Sequence, residues 1–376
     1  MGEAATMVVS VVLFALGAAI VVATALSAVQ TLVVPRATPM RLTRWVFRVV
    51  RVPFDFRGKH SKEYFEQERA MALYAPISLL SLVVAWLVII GSGYVLMDWA
   101  LGVHPLRHAF ILSGSSLFTL GIAIPKDLPT TALAFSEAAF GLGMIALLIS
   151  YLPSIYTSFS RREAAVAGLD VRAGSPPSAS ELLIRHTRIE GLDHLEDVWR
   201  TWEAWFTDIE ETHTSIPALV FFRSPDPKRS WVTAAGAVLD TASITASSVD
   251  LERPVEAQLC IRAGYIALRK ISDFFGIPYD PDPRWPDQPI SIMQSEFDDV
   301  YDELAREGVP VKADREQAWK DFAGWRVNYD AVLLALAALT VAPPAKWSSD
   351  RSLVFPQLAS LTHRRNRKSL SPRGPS

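Results

Sequence analysis

Hydrophobic positions in this chain first fall in long unbroken runs and only later settle into a helical period. Met7 to Val34 and Met71 to Met97 contain no charged residue, and Leu128 to Ser160 contains only Glu137. Each run exceeds the roughly 20 residues that carry an α-helix across about 30 Å of hydrocarbon, so three transmembrane helices are predicted. A fourth run, His108 to Pro125, also lacks formal charge but is studded with Ser, Gly, Thr and Pro. Its composition predicts a re-entrant loop rather than a fourth span.

From residue 161 onward charges and prolines return, and no run is long enough to cross. Ala331 to Pro344 is the nearest, and at about 14 residues it suits a buried core helix. From Leu192, apolar residues at 192, 195, 198, 199, 202, 205, 206 and 209 form a 3.6-residue stripe. Its Trp199, Trp202 and Trp205 are read as core. Further helices are predicted at about 230–249, at 254–276 with Pro254 at the start, at 291–307 and at 313–341. Pro-rich loops at 224–227 and 277–283 separate them. Strand alternation is scarce. The predicted fold class is an all-α membrane protein, with three transmembrane helices and one re-entrant loop followed by an α-helical cytoplasmic domain. The boundaries are 1–34 for the first span, 35–70 for a basic amphipathic loop, 71–160 for helix, loop (105–125) and helix, 161–345 for the helical domain, and 346–376 for a basic tail.

Charge sets the orientation. Residues 1–6 hold no Lys or Arg, residues 35–70 hold nine, and residues 98–127 hold only Arg107 and Lys126. The positive-inside rule places 35–70 in the cytoplasm and both the N-terminus and 98–127 outside, in a multi-pass protein of the plasma membrane. Arg161 and Arg162 after the third run agree. The first run is not read as an export signal, because it opens Met-Gly-Glu and exceeds the roughly 7–15 residues of a signal core. Arg41, Arg44, Arg48 and Arg51 are interleaved with Leu42, Trp45, Val46, Phe47, Val49 and Val50, which suits a helix lying on an anionic membrane surface. Two roles stay open for it, lipid sensing or merely setting topology. The tail around 363–368 is basic and reads as unfolded, attracted to lipid or simply solvated. A net charge of −2 gives no sign of a nucleic-acid partner, and a single cysteine, Cys260, excludes an internal disulfide or a cysteine-rich metal site.

The chemistry concentrates between the second and third runs. A cation crossing a membrane exchanges its water for oxygen ligands, which backbone carbonyls supply when they converge on an axis. Glycine reaches the required positive φ at least cost. Such non-helical backbone is tolerated at membrane depth only where protein or water covers it. A short helix ending just before it, here about 105–118, would aim its negative C-terminal end at the ion. The stretch Thr119, Leu120, Gly121, Ile122, Ala123 resembles the potassium-channel filter Thr-Val-Gly-Tyr-Gly. Residues 71–162 thereby resemble the pore module of prokaryotic and two-pore-domain potassium channels, with Gly141 and Gly143 at the hinge of the inner helix and Pro153 at a gate-bending position. The resemblance implies monovalent cations, K⁺ foremost, and a homotetramer that gathers four loops on one axis. Ile122 replaces the bracing tyrosine, Ala123 replaces the second glycine, and Ile124 stands where an acidic residue usually follows. A left-handed conformation at Ala123 would cost on the order of 1–2 kcal/mol. Weakly selective conduction, conduction in another conformation and no conduction all stay open. The alternative function is a membrane-anchored sensory or scaffold protein with a vestigial pore.

Glu137 is the one formal charge inside the predicted hydrocarbon, where a carboxylate either faces a cavity or bonds to a neighbouring segment such as the pore helix. Asp298, Asp299 and Asp302 match the Asp-Asp-x-x-Asp pattern of isoprenoid synthases, but no second metal motif accompanies them, and Glu296, Glu303 and Glu307 extend the same acidic face. They are read as a solvated helix surface. His186, His194 and His213 do not form a metal-ligand spacing. No enzyme, metal or cofactor is expected.

Overall fold

The computed structural model describes residues 3–32, 41–60, 71–189, 191–252 and 254–351. Among them, helices and 3₁₀ turns supply the regular structure, apart from one antiparallel bridge between Val249 and Val311. Three helices are long and apolar enough to cross a membrane: α1 (Glu3–Leu32), α3 (Tyr74–Ala100) and α5 (Leu128–Ala173). Between them lie α2 (Arg41–His60) and the short α4 (Leu106–Leu117). The tail from 352 and the loop at 61–70 fall outside the described residues.

Helix α3 is the hub of this part, with Trp86 and Ile90 fully buried. Its crossing with α1 is set by small residues. A Cβ on Gly17 would lie 2.5 Å from the carbonyl oxygen of Gly93, and one on Gly93 would lie 2.8 Å from Val21 Cγ2. Only glycine lets the two backbones approach so closely.

Helix α5 is 46 residues long, about 69 Å, more than twice a bilayer's hydrocarbon. Asp127 caps its start, accepting from the Thr130 amide at 3.0 Å, with Pro129 in the first turn and Gly174 (φ 79°) beyond its end. The helix runs on through the boundary expected at 160. Helix formers such as Arg161, Arg162 and Glu163 continue the helix, and Pro153 sits inside it without ending it.

The end of α5 is built into the helical domain. The Arg162 guanidinium is buried and donates to the carbonyl oxygens of Leu219 (2.8 Å) and Phe222 (2.7 Å), to Glu163 (2.9 Å) and to His213 Nε2 (3.1 Å). In return the Trp205 indole donates to the Arg162 carbonyl at 3.3 Å. Burial, then the Arg162 charge, push the His213 imidazole well below its ordinary 6.5.

The domain comprises α6 (Ala179–Ile189), α7 (Leu195–Ser215), α8 (Trp231–Ser248), α9 (Val255–Phe275), α10 (Gln294–Arg306), α11 (Arg315–Arg326) and α12 (Asp330–Thr340). Helix α8 is its axle, buried along nearly its whole length. The tryptophan stripe of α7 lies in the core as expected, with Trp199, Trp202 and Trp205 all buried. One expectation fails. The single helix read over 313–341 is two helices, because the chain turns at 327–329. Arg269 accommodates the break by donating to the freed Asn328 carbonyl at 3.0 Å. The turn also gathers a buried polar knot. Arg326 pairs with Asp240, with Asp330 (2.7 Å) and with the Trp347 carbonyl (2.6 Å), while the Tyr329 hydroxyl donates to Asp240 at 2.8 Å.

Two outcomes follow from these buried charges. Arg326→Met leaves Asp240 and Asp330 uncompensated and lowers unfolding stability by about 3–5 kcal/mol, measured by denaturant titration of tryptophan fluorescence. Folded His213 stays neutral while unfolded His213 titrates near 6.5, so the unfolded state takes up a proton as pH falls through that value. Melting temperature therefore drops below about pH 6.5, and drops less in His213→Gln.

Candidate functional site

Helix α4 and the segment after it form a helix and return loop between α3 and α5. Ser113 Oγ lies 3.2 Å from the Gly91 carbonyl of α3 and 2.5 Å from Glu137 of α5. Further along, Leu117 meets Gly141, where an added Cβ would stand 2.0 Å from the Leu117 carbonyl oxygen. Gly141 is about 20 Å along α5 from its start. The chain then returns to Asp127 at the head of α5, so the excursion begins and ends at the same end of the α3–α5 pair.

The helix is closed by a backbone motif. Leu120 N–H donates to the Ser115 carbonyl (2.8 Å) and Thr119 N–H to the Ser116 carbonyl (3.0 Å), with Thr119 left-handed at φ 53°. This is a Schellman closure with threonine in the place glycine usually takes. Ser115 Oγ then accepts from the Ala123 amide at 3.0 Å, tying the loop back onto the helix. Positive φ recurs at Gly121 (69°). Ala123 is not left-handed, so the Cβ cost considered there falls on Thr119 instead. Leu120, Ile122 and Ile124 are 60%, 72% and 83% exposed.

The other sequence-derived residues separate into groups. Gly141 is a packing notch for α4, whereas Gly143 faces open space and Pro153 lies further along the same helix. Glu137 is buried and bonded to α4, and the nearby Tyr94 hydroxyl lies 2.8 Å from Ser136 Oγ, so the polar ties all cross between α3, α4 and α5. Asp98 is a buried carboxylate that the sequence reading passed over, because the uncharged run ends at Met97. Its Oδ1 has no hydrogen-bond partner among the described residues. The arginines of α2 diverge: Arg44 and Arg48 are exposed, Arg51 donates to the Leu339 carbonyl at 3.4 Å, and the Arg41 side chain lies outside the described ones. Of the acidic pattern on α10, Asp302 pairs with Arg315. Among the described residues no three His, Cys, Asp or Glu side chains converge as a metal site.

Substitutions at three of these positions have opposite expected signs in thermal unfolding of the purified protein. Thr119→Gly relieves the left-handed threonine and stabilises by about 1 kcal/mol. Gly141→Ala must push α4 away and destabilises, whereas Gly143→Ala gains helix propensity by up to about 1 kcal/mol.

No family model, curated protein or solved structure matches the chain.

Proposed function

We propose that α3, α4, the return loop and α5 form one quarter of a cation-conducting pore, a homotetramer in the plasma membrane with the loop 119–123 at the axis. The observation that carries this reading is the exposure of the non-helical return beside two membrane-length helices. In hydrocarbon, unpaired backbone groups cost several kcal/mol each unless protein or water covers them. Four copies around a water-filled axis supply that cover and place the loop carbonyls together. The C-terminal end of α4 adds its negative dipole to the same place. K⁺ is the expected main ion, with weak selectivity because Ile122 and Ala123 lack the bracing hydroxyl and the flexibility of the resembled filter. The N-terminus faces outside, and the helical domain lies in the cytoplasm, where it regulates α5.

The apolar rim of Leu120, Ile122 and Ile124 favours a second reading, a sensory or scaffold protein whose pore does not conduct. Ion flux separates the two. Liposomes holding the full-length protein under K⁺ and Na⁺ gradients pass cations, and Gly121→Val, which forces a β-branched residue to φ 69°, abolishes the flux. Flux indifferent to that substitution, or a flux-free tetramer at every voltage, pH and lipid composition tried, overturns the channel.

A further inference from the structure

Helix α2 presents three different faces. Leu42, Val46, Phe47, Val50 and Phe54 turn inward, against the ends of α1 and α3 and the helical domain. Trp45, Val49 and Val52 form an exposed ridge at spacings of four and three, one stripe of a helix. Arg44 and Arg48 flank that ridge, exposed, and no carboxylate among the described residues pairs with them.

The inward face is fixed at the head of α3, where that membrane-length helix begins. The Tyr74 hydroxyl donates to the Phe47 carbonyl at 3.1 Å, and the Tyr74 ring packs on Phe47 (6.2 Å), Phe54 (5.7 Å) and Phe221 (5.5 Å). Phe221 closes a 3₁₀ turn (Pro217–Phe221) and stacks in turn on Phe275 of α9, inside the helical domain. Arg51 reaches the C-terminal carbonyls of α12, which Arg223 also engages at Thr340 (2.6 Å) and Val341 (3.1 Å). Cations at a helix C-terminus are favoured by its dipole. The helix is thus held on the protein side and open on the other.

The geometry points to an interaction surface beyond the proposed pore: α2 binds the anionic headgroup layer of the bilayer, with its apolar ridge in the interface and Arg44 and Arg48 on lipid phosphates, and so docks the helical domain to the membrane. Charge selects this occupant over a second protein. By sequence, α2 carries six basic residues, Arg41, Arg44, Arg48, Arg51, Arg57 and Lys59, against one acid, Asp55. A tryptophan beside arginines, at the level where a span begins, is the composition that lipid interfaces favour. Exposed arginines are attracted to an anionic lipid surface, an attraction that an apolar protein face does not offer.

The test uses full-length protein with Val49→Cys carrying an environment-sensitive fluorophore. Cys260 is buried, and burial pushes its thiol up, so labelling is confined to position 49. Nanodiscs of phosphatidylcholine, alone or mixed with phosphatidylglycerol, carry a nitroxide lipid as quencher. Quenching is expected in both, stronger with phosphatidylglycerol and weakened by salt. Adding Arg44→Gln and Arg48→Gln lowers the ratio of docked to undocked helix by on the order of 25-fold in the anionic discs and leaves the neutral discs unchanged. A fluorophore that is shielded yet not quenched by lipid would mean that another segment or a second copy covers α2, and would overturn the proposal. Equal quenching in neutral and anionic discs would overturn it as well. A protein that conducts no ions but shows the phosphatidylglycerol dependence leaves the docking intact and removes only the pore.

Discussion

A backbone amide or carbonyl removed from water must have a partner, and this demand governs the region between α3 and α5. A helix answers it internally, but α4 ends after twelve residues and the chain must return through irregular structure. Each local device answers part of the demand. The Schellman closure uses the carbonyls of Ser115 and Ser116, the Ser115 hydroxyl takes the Ala123 amide, and Ser113 bridges Gly91 and Glu137. The left-handed threonine is tolerated because those bonds determine its conformation from both sides. What this chain alone leaves open on the exposed rim is the part that the proposed tetramer covers.

The helical domain obeys the complementary rule, that a buried charge must be met by an opposite one with good geometry. Arg326 holds α8, α11, α12 and the Trp347 turn together at one guanidinium. Arg162 does the same for the end of α5, the 3₁₀ turn at 217–221 and α7. Removing either arginine strands acceptors in the core, so both act as keystones of tertiary structure whatever the protein's activity. His213, neutral beside Arg162, shows the same economy: a second cation there would repel the first.

Much of this was legible in the sequence, for identifiable reasons. The three long apolar helices were visible because hydrophobic length is a strong signal, and the helix read at 105–118 appears as Leu106–Leu117, just as that at 230–249 appears as Trp231–Ser248. The turn at 327–329 was hidden because no Gly or Pro marks it. It is imposed by distant partners, Arg269 and Asp240, that no local pattern reveals. Gly141 was noticed, but as a hinge; that it receives the Leu117 carbonyl depends on a contact 24 residues away in the chain. Asp98 was passed over because a charge at the end of an apolar run ordinarily marks the water boundary, whereas here its side chain is buried. The division of labour among the α2 arginines was equally invisible, since periodicity gives a face but not its neighbour.

The unbroken length of α5 has a mechanical consequence. From the contact at Gly141 to Arg162 the helix runs about 32 Å without a loop, with Pro153 inside that stretch. One end is gripped by Arg162 and its carbonyl partners, and near the other rests the tip of α4. A tilt of about 5° around Gly141 displaces Arg162 by about 3 Å, roughly the rise of two helical residues. Geometry therefore trades displacement for force. Movements of several ångströms in the helical domain arrive at the Leu117 contact as fractions of an ångström, in a notch with no room for a single added carbon.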